Sequence, residues 1–225
     1  FTLKIGAHYA NEGYRVIWPV QPVYANLNKY IKVEGIEFYN IEKEFPYKLE
    51  YQNFNTFKFT ECTEAGAVCY VPLNKAFQSS TATNVLNSQG HEARNMFGKY
   101  AICGIDSADW VNYFDLQRDY EKESQLWSSL ATADPVHLIN RVFGTPPRYH
   151  VTLQKEVLFD DDLSPVEMRQ IEGYNIFDWC GVMERAQKID TVATSLVFLF
   201  EKISLNCVPT IHSRNKKMPA AANDF

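Results

Sequence analysis

The stretch from Glu172 to Ser204, EGYNIFDWCGVMERAQKIDTVATSLVFLFEKIS, limits the possible folds more than any other part of the chain. It opens on a breaker cluster, Glu172-Gly173-Tyr174-Asn175, and either Asn175 or Asp178 is placed to cap a helix behind it. Ile176, Phe177, Cys180, Val182 and Met183 then fall on a broad helical stripe. Lys188 to Ala193 is short and β-rich, as a buried parallel strand is. Thr194-Ser195 opens a second helix, with Leu196, Val197, Leu199, Phe200 and Ile203 as its apolar positions. Turn, helix, strand, tight loop and helix make one unit of a doubly wound α/β domain. A hydroxyl pair at a helix start, just past a strand's carboxyl end, is a natural seat for a phosphate or diphosphate. The same pair is also an ordinary N-cap, and a fold pattern carries no function by itself.

The amino-terminal part shows a similar alternation. A helix is expected over Thr2 to Asn11, ended by Gly13, with a strand over Tyr14 to Val20 in which Pro19 marks the end. A short helix over Val23 to Tyr30 and a strand over Ile36 to Ile41 follow. Residues 45–64 are aromatic and irregular, an insertion or a pair of exposed strands, and Ala67 to Leu73 reads as another central strand. Phe77 to Gly90 has the composition of a long loop, His91 to Tyr100 returns to helix, and Asp109 to Phe114 is an aromatic cluster. Because the pattern opens on a helix, and on Phe1 rather than Met, a preceding strand and its turn are expected to be missing.

Glu121 to Leu130 is an amphipathic helix, and Ala131-Thr132-Ala133-Asp134-Pro135 is the best domain boundary. The reading is therefore two α/β domains, 1–133 and 134–225. In the second, Val136 to Asn140 is a strand, Glu156 to Ser164 is a solvated turn with four acids, and a strand leads from Val166 toward Glu172. Cys207 to Ile211 is expected to be a final buried strand.

Charge and cysteines narrow the function classes. A formal net charge of −5 argues against a protein that coats nucleic acid generally, leaving room for a local basic groove around Arg94, Lys99, Lys216 and Lys217. The five cysteines are scattered, without a CxxC pair, which points to free thiols in a reducing, cytoplasmic compartment. No apolar run has the length of a membrane span, and no signal segment opens the chain. G-x-G-x-x-G, the Walker-type loop and G-x-S-x-G are all missing, which disfavours dehydrogenase, NTPase and serine hydrolase chemistry. Asp160, Asp161 and Asp162 alone do not compose an octahedral metal site.

Candidate ligand groups gather where the second domain's strands end: Asn140-Arg141, Glu172-Gly173-Tyr174, Thr194-Ser195 and His212-Ser213-Arg214. In an open parallel sheet those ends border the ligand crevice. Arg141 and Arg214 suit a diphosphate, because a guanidinium offers paired charge-assisted hydrogen bonds; either alone reads first as a surface charge, and their joint placement with the Thr194-Ser195 helix start is what brings in the ligand reading. His8, on the first helix, is a candidate base or simply a surface histidine.

These residues carry a family resemblance. DWCGVMERAQKIDTVATSLVFLFEKI resembles the donor-site region of heptosyltransferase-like and related glycosyltransferases. RNMFGKYAICGID, DWVNYFDLQRDYEKESQLWSSL and HLINRVFG resemble glycosyltransferases of large DNA viruses and bacteriophages. The resemblance runs from about Tyr14 to Arg214 and is one of pattern rather than strict motif. It implies a GT-B fold, two Rossmann-like domains facing a cleft, and metal-independent sugar transfer from a nucleotide-sugar donor with no further cofactor. By position, Thr194 and Ser195 would hold the donor diphosphate, with Asn140, Arg141 and Arg214 beside it and Glu172 and Tyr174 near the nucleoside. The family's base sits in an amino-terminal turn that would precede Phe1, so His8 is the nearest candidate here. The implied acceptor is a hydroxymethylated base in phage DNA or else a saccharide; a non-catalytic nucleotide-binding or scaffold protein with this fold is the alternative.

Overall fold

Four short segments with buried or alternating apolar residues come together as a parallel sheet, and that sheet positions everything discussed below. The computed structural model describes residues 2–20, 27–40, 59–63, 66–70, 99–100, 103–141, 156–194 and 196–212. In chain order the elements begin with α1 (Leu3–Asn11), β1 (Val16–Val20), α2 (Leu27–Tyr30), β2 (Ile31–Lys32), β3 (Ile36–Asn40), β4 (Phe59–Thr63) and β5 (Gly66–Tyr70). A 3-10 turn (Trp110–Tyr113), β6 (Asp115–Leu116), α3 (Tyr120–Ser129), β7 (Val136–Asn140) and β8 (Ser164–Glu167) follow. The chain continues with a 3-10 turn (Ile176–Trp179), α4 (Cys180–Arg185), β9 (Ala186–Val192), α5 (Leu196–Phe200) and β10 (Thr210–His212). Contacts divide it into two units, which part between Asp115 and Leu116.

In the first unit β1 and β3 pair in parallel, Val16 opposite Ile36 through Val20 opposite Asn40. α1 buries Leu3, Ile5 and Ala7. Gly35, at φ +75°, brings β3 close to α1: a Cβ there would lie 2.5 Å from that of Ala10. Only glycine combines that dihedral with that approach. The Lys4 ammonium is buried, donates to the Ala108 carbonyl and lies 5.0 Å from the centre of the Tyr113 ring. Ala67 to Leu73 was expected to supply a central strand. Its described part instead makes β5 the antiparallel partner of β4. The loop over 77–90 and most of the helix over 91–100 lie outside the described residues.

The second unit is a mixed α/β arrangement around a four-stranded parallel sheet of order β10-β9-β7-β8. Period-two alternation gives the sheet two unlike faces. Val136 and Leu138 of β7, Val166 of β8 and Ile189 of β9 join Leu126, Trp179, Cys180, Val182, Met183, Leu196, Leu199 and Phe200 in one core. Asn175 caps the turn before α4 and Asp178 returns the bond to the Asn175 N–H, a complete capping box that uses both residues expected as caps. Arg118 forks onto Glu123 of α3, at 2.9 and 2.5 Å, and reaches Glu184 of α4 at 2.6 Å. Gly181 permits that approach, since a Cβ there would lie 2.9 Å from the Glu123 carboxylate. These contacts put α3 with the second unit, upstream of the 133/134 boundary read from sequence.

Two strand expectations shift. The strand drawn from Val166 to Glu172 is β8, Ser164–Glu167, after which the chain turns at Gly173 (φ +83°). The final strand is not buried. β10 is an exposed edge at Thr210–His212, with Ile211 53% and the preceding Val208 92% exposed. Among the described residues no helix is long and apolar enough to cross a membrane.

Candidate functional site

The strand order reverses at β7. Its outgoing chain returns as β8 on one side, whereas β8 connects through α4 to β9 on the other side. Asp160, in the described part of the return to β8, lies on the face of His137, and α4 lies on the face of Leu138. Adjacent strands β7 and β9 therefore send their chains to opposite faces, the arrangement in which open parallel sheets take ligands beyond their carboxyl ends. Asn140 closes β7 there; it is buried, and its Nδ2 donates to the Thr191 hydroxyl at 3.1 Å.

The sheet face turned away from the core carries ionisable groups of its own, two of them, His137 and Asp190, buried. In register, His137 stands opposite Lys188, Ile139 opposite Asp190, and Thr210 opposite Asp190, so His137, Lys188, Asp190 and His212 share one face. The Asp190 carboxylate joins two imidazoles: His137 Nε2 lies 2.8 Å from Oδ2 and His212 Nε2 lies 2.5 Å from Oδ1. An ionised carboxylate only accepts, so both Nε2 atoms carry the proton. His137 is wholly buried, and its Nδ1 accepts from the Asp160 backbone N–H at 2.9 Å. Both of its nitrogens are thus committed, which fixes a neutral ring. His212 is held through Nε2 alone and its side chain is 19% exposed.

Burial by itself would raise the Asp190 carboxyl. The hydrogen bonds from His212 and His137 outweigh burial and hold it below the ordinary aspartate value. Asp160 lies in a solvated turn, as expected, with its side chain 36% exposed. It binds Lys188 Nζ at 3.1 Å, and this bond, with a backbone bond from Asp162, lowers its carboxyl. Phe159 packs its ring edge-on against His137.

The residues proposed from sequence are not gathered into one ligand cradle. Arg141 stands at the carboxyl end of β7, but its guanidinium donates to the Val157 carbonyl at 2.6 Å, pairs with Glu167 at 3.4 Å and stacks on Phe159. Thr194 is buried and its hydroxyl accepts from the Leu196 N–H at 3.2 Å, the capping role. The helix it caps is five residues long, giving little dipole for an anion. Glu172 is exposed on the loop leaving β8, and Tyr174 packs at the core's edge with Lys122 over its ring at 5.7 Å. His8 belongs to the first unit, 42% exposed and 3.2 Å from Glu12 one helical turn on. Ser195, Arg214, Arg94, Lys216 and Lys217 lie outside the described residues, while burial lowers the Lys99 ammonium.

Sequence reasoning placed His212 among strand-end groups but missed its partners. The available signal was an ionisable residue inside each of two expected strands, His137 and Asp190. Such groups persist in an interior only when paired. Cys180, with its thiol pushed up to about 12 by burial and by the charge of Glu123, is a core thiol with no nucleophilic role. Among the described residues no three His, Cys, Asp or Glu side chains are placed to hold a metal ion. Comparison of the chain with protein-family models, with characterised proteins and with solved structures finds no match.

Proposed function

We propose that this chain binds a nucleotide sugar beyond the carboxyl ends of β7 and β9 and transfers its sugar to an acceptor hydroxyl. The observation that carries the reading is the reversal of strand order between those two strands, the place where open parallel sheets take nucleotide-like ligands. Asn140 and Arg141 border it, and Glu172 offers an exposed carboxylate on the loop leaving β8, suited to ribose hydroxyls. Ser195 and Arg214 enter the proposal from the sequence resemblance, as does the finer fold, a GT-B pair of Rossmann-like domains. The acceptor classes in this reading are a hydroxymethylated DNA base and a saccharide.

One observation favours a second reading, a nucleotide-binding protein without catalysis. Arg141 and Thr194, the two described residues expected to clamp a diphosphate, both have partners within the unit. A thermal-shift panel of UDP-glucose, GDP-mannose, ADP-glucose, UDP, GDP, ADP and CMP tests the shared premise. A nucleotide at a hundred times its Kd stabilises by about 2.7 kcal/mol, so a true ligand raises the melting point by a few degrees. If none shifts it at millimolar concentration, both readings fall. Binding without release of nucleoside diphosphate, with water, DNA or saccharide as acceptor, selects the second.

A further inference from the structure

We propose that His212, oriented by Asp190, is the general base of this site and acts through its Nδ1 on the acceptor hydroxyl; this rests on the transferase reading. Three observations carry it. The Asp190 carboxylate is buried and accepts from His212 Nε2 at 2.5 Å, which leaves the basic lone pair on Nδ1. No described residue is bound to that nitrogen. His212 also closes β10 at its carboxyl end, level with Val192, at the end of the sheet where the donor is proposed to bind.

The second histidine explains why His212 and not His137 does this work. His137 Nδ1 is occupied by the Asp160 N–H, so His137 cannot take a proton without losing that bond. Its role is to hold Asp190: one carboxylate oxygen is tied to a fixed donor, and the other faces His212. Asp190 and His137 are positioning residues. An aspartate that fixes an imidazole's tautomer and stabilises the imidazolium is the same arrangement that activates bases in unrelated folds.

In the step itself, His212 Nδ1 takes the hydroxyl proton as the acceptor oxygen bonds to the anomeric carbon. The bond from that carbon to the donor diphosphate breaks, and the diphosphate leaves with the electron pair. The resulting imidazolium is balanced by the ionised Asp190. The other charged or titratable groups on this face are Lys188, Glu167 and Arg141 on the strands and Asp160 on the segment returning toward β8. Lys188 is paired with Asp160, and Arg141 with Glu167, so each cation has its own anion.

The test compares the intact chain with His212→Gln, which keeps a donor toward Asp190 but has no basic nitrogen. Affinity for whichever of UDP-glucose, GDP-mannose and ADP-glucose binds is measured by calorimetry, and turnover as nucleoside diphosphate released. The expected result is affinity within threefold of wild type and turnover lowered by about 10²–10⁴, the usual worth of a positioned base. His212→Ala provides the check against a folding defect: millimolar imidazole should restore turnover in proportion to its concentration. Turnover of His212→Gln within threefold of wild type overturns the proposal and leaves the transferase reading standing. So does a lowered rate in His212→Ala that imidazole does not rescue. A wild-type chain that binds donor without releasing diphosphate also overturns it, while one that binds no donor overturns the transferase reading with it.

Discussion

The two faces of the second unit's sheet are made by the same strands and have almost opposite chemistry. On one, Val136, Leu138, Val166 and Ile189 meet three helices in a core of hydrocarbon and one inert thiol. On the other, one residue along each strand, His137, Lys188, Asp190 and His212 form a connected set of charges and hydrogen bonds. The strand period of two lets one five-residue segment serve both, as VHLIN does in β7, where all five residues are buried. Stability should therefore belong chiefly to the first face and the chemistry to the second.

The largest effect expected from this division is on the core face. Leu138 is 1% exposed and packed within the core. Leu138→Ala removes buried methyl groups and leaves a cavity that rigid strands on both sides cannot close, a loss of about 2–5 kcal/mol. Urea unfolding followed by circular dichroism measures it. A loss no greater than that of His212→Gln would dissolve the distinction between the faces.

Asp190→Asn examines the other face and should cost less, about 1–3 kcal/mol at neutral pH. The asparagine amide offers one acceptor and one donor group where the carboxylate offered two acceptors. His137 has its tautomer fixed by the Asp160 N–H and claims the acceptor. His212 must then shift its proton to Nδ1, so the same change removes the basic lone pair assigned to it. The pH dependence has a definite sign. Because the folded carboxyl lies below its unfolded value, the protein gains from ionised Asp190 fully above about pH 4, the region of an unperturbed aspartate. That gain is lost as pH falls through the folded value. The gap between wild type and Asp190→Asn should be widest at pH 7 and shrink as pH falls below about 4. A gap independent of pH would mean that Asp190 is not held ionised by its histidines.

Most of the core face was legible in the amino-acid sequence. The stripe Ile176, Phe177, Cys180, Val182 and Met183 and the β-rich run before Thr194 appear as the 3-10 turn, α4 and β9, and Val136 to Asn140 is β7 to the residue. Apolar periodicity records burial directly, and burial is what those segments do. The polar face was not legible, because hydrogen-bond pairing across strands joins residues 22 and 53 positions apart. Nothing local in KIDTV says that Asp190 meets two imidazoles. For the same reason Arg141 looked available for a ligand, since its partners Val157 and Glu167 come from further along the chain. The edge position of β10 was hidden too: Val208 and Ile211 read as core until the sheet order leaves them on its rim.

The smallest effect concerns Thr194, which joins the two faces where β9 turns into α5. Its hydroxyl oxygen accepts from the Leu196 N–H, one of the donors a helix start leaves without an internal partner. Thr194→Ala removes that acceptor and should cost about 1 kcal/mol, the ordinary worth of such a cap. The same hydroxyl was the sequence's choice for a diphosphate seat, and the two roles separate in one experiment. A cap changes the unfolding free energy and leaves donor affinity within threefold, because the buried side chain is turned into its own helix start. A diphosphate seat does the reverse, with affinity falling tenfold or more and stability nearly constant. Denaturant unfolding and calorimetric titration of the one variant give both numbers. The geometry predicts the first pattern; the second would return the donor's phosphates to the start of α5, and with them the weight of the site to the core side of the sheet.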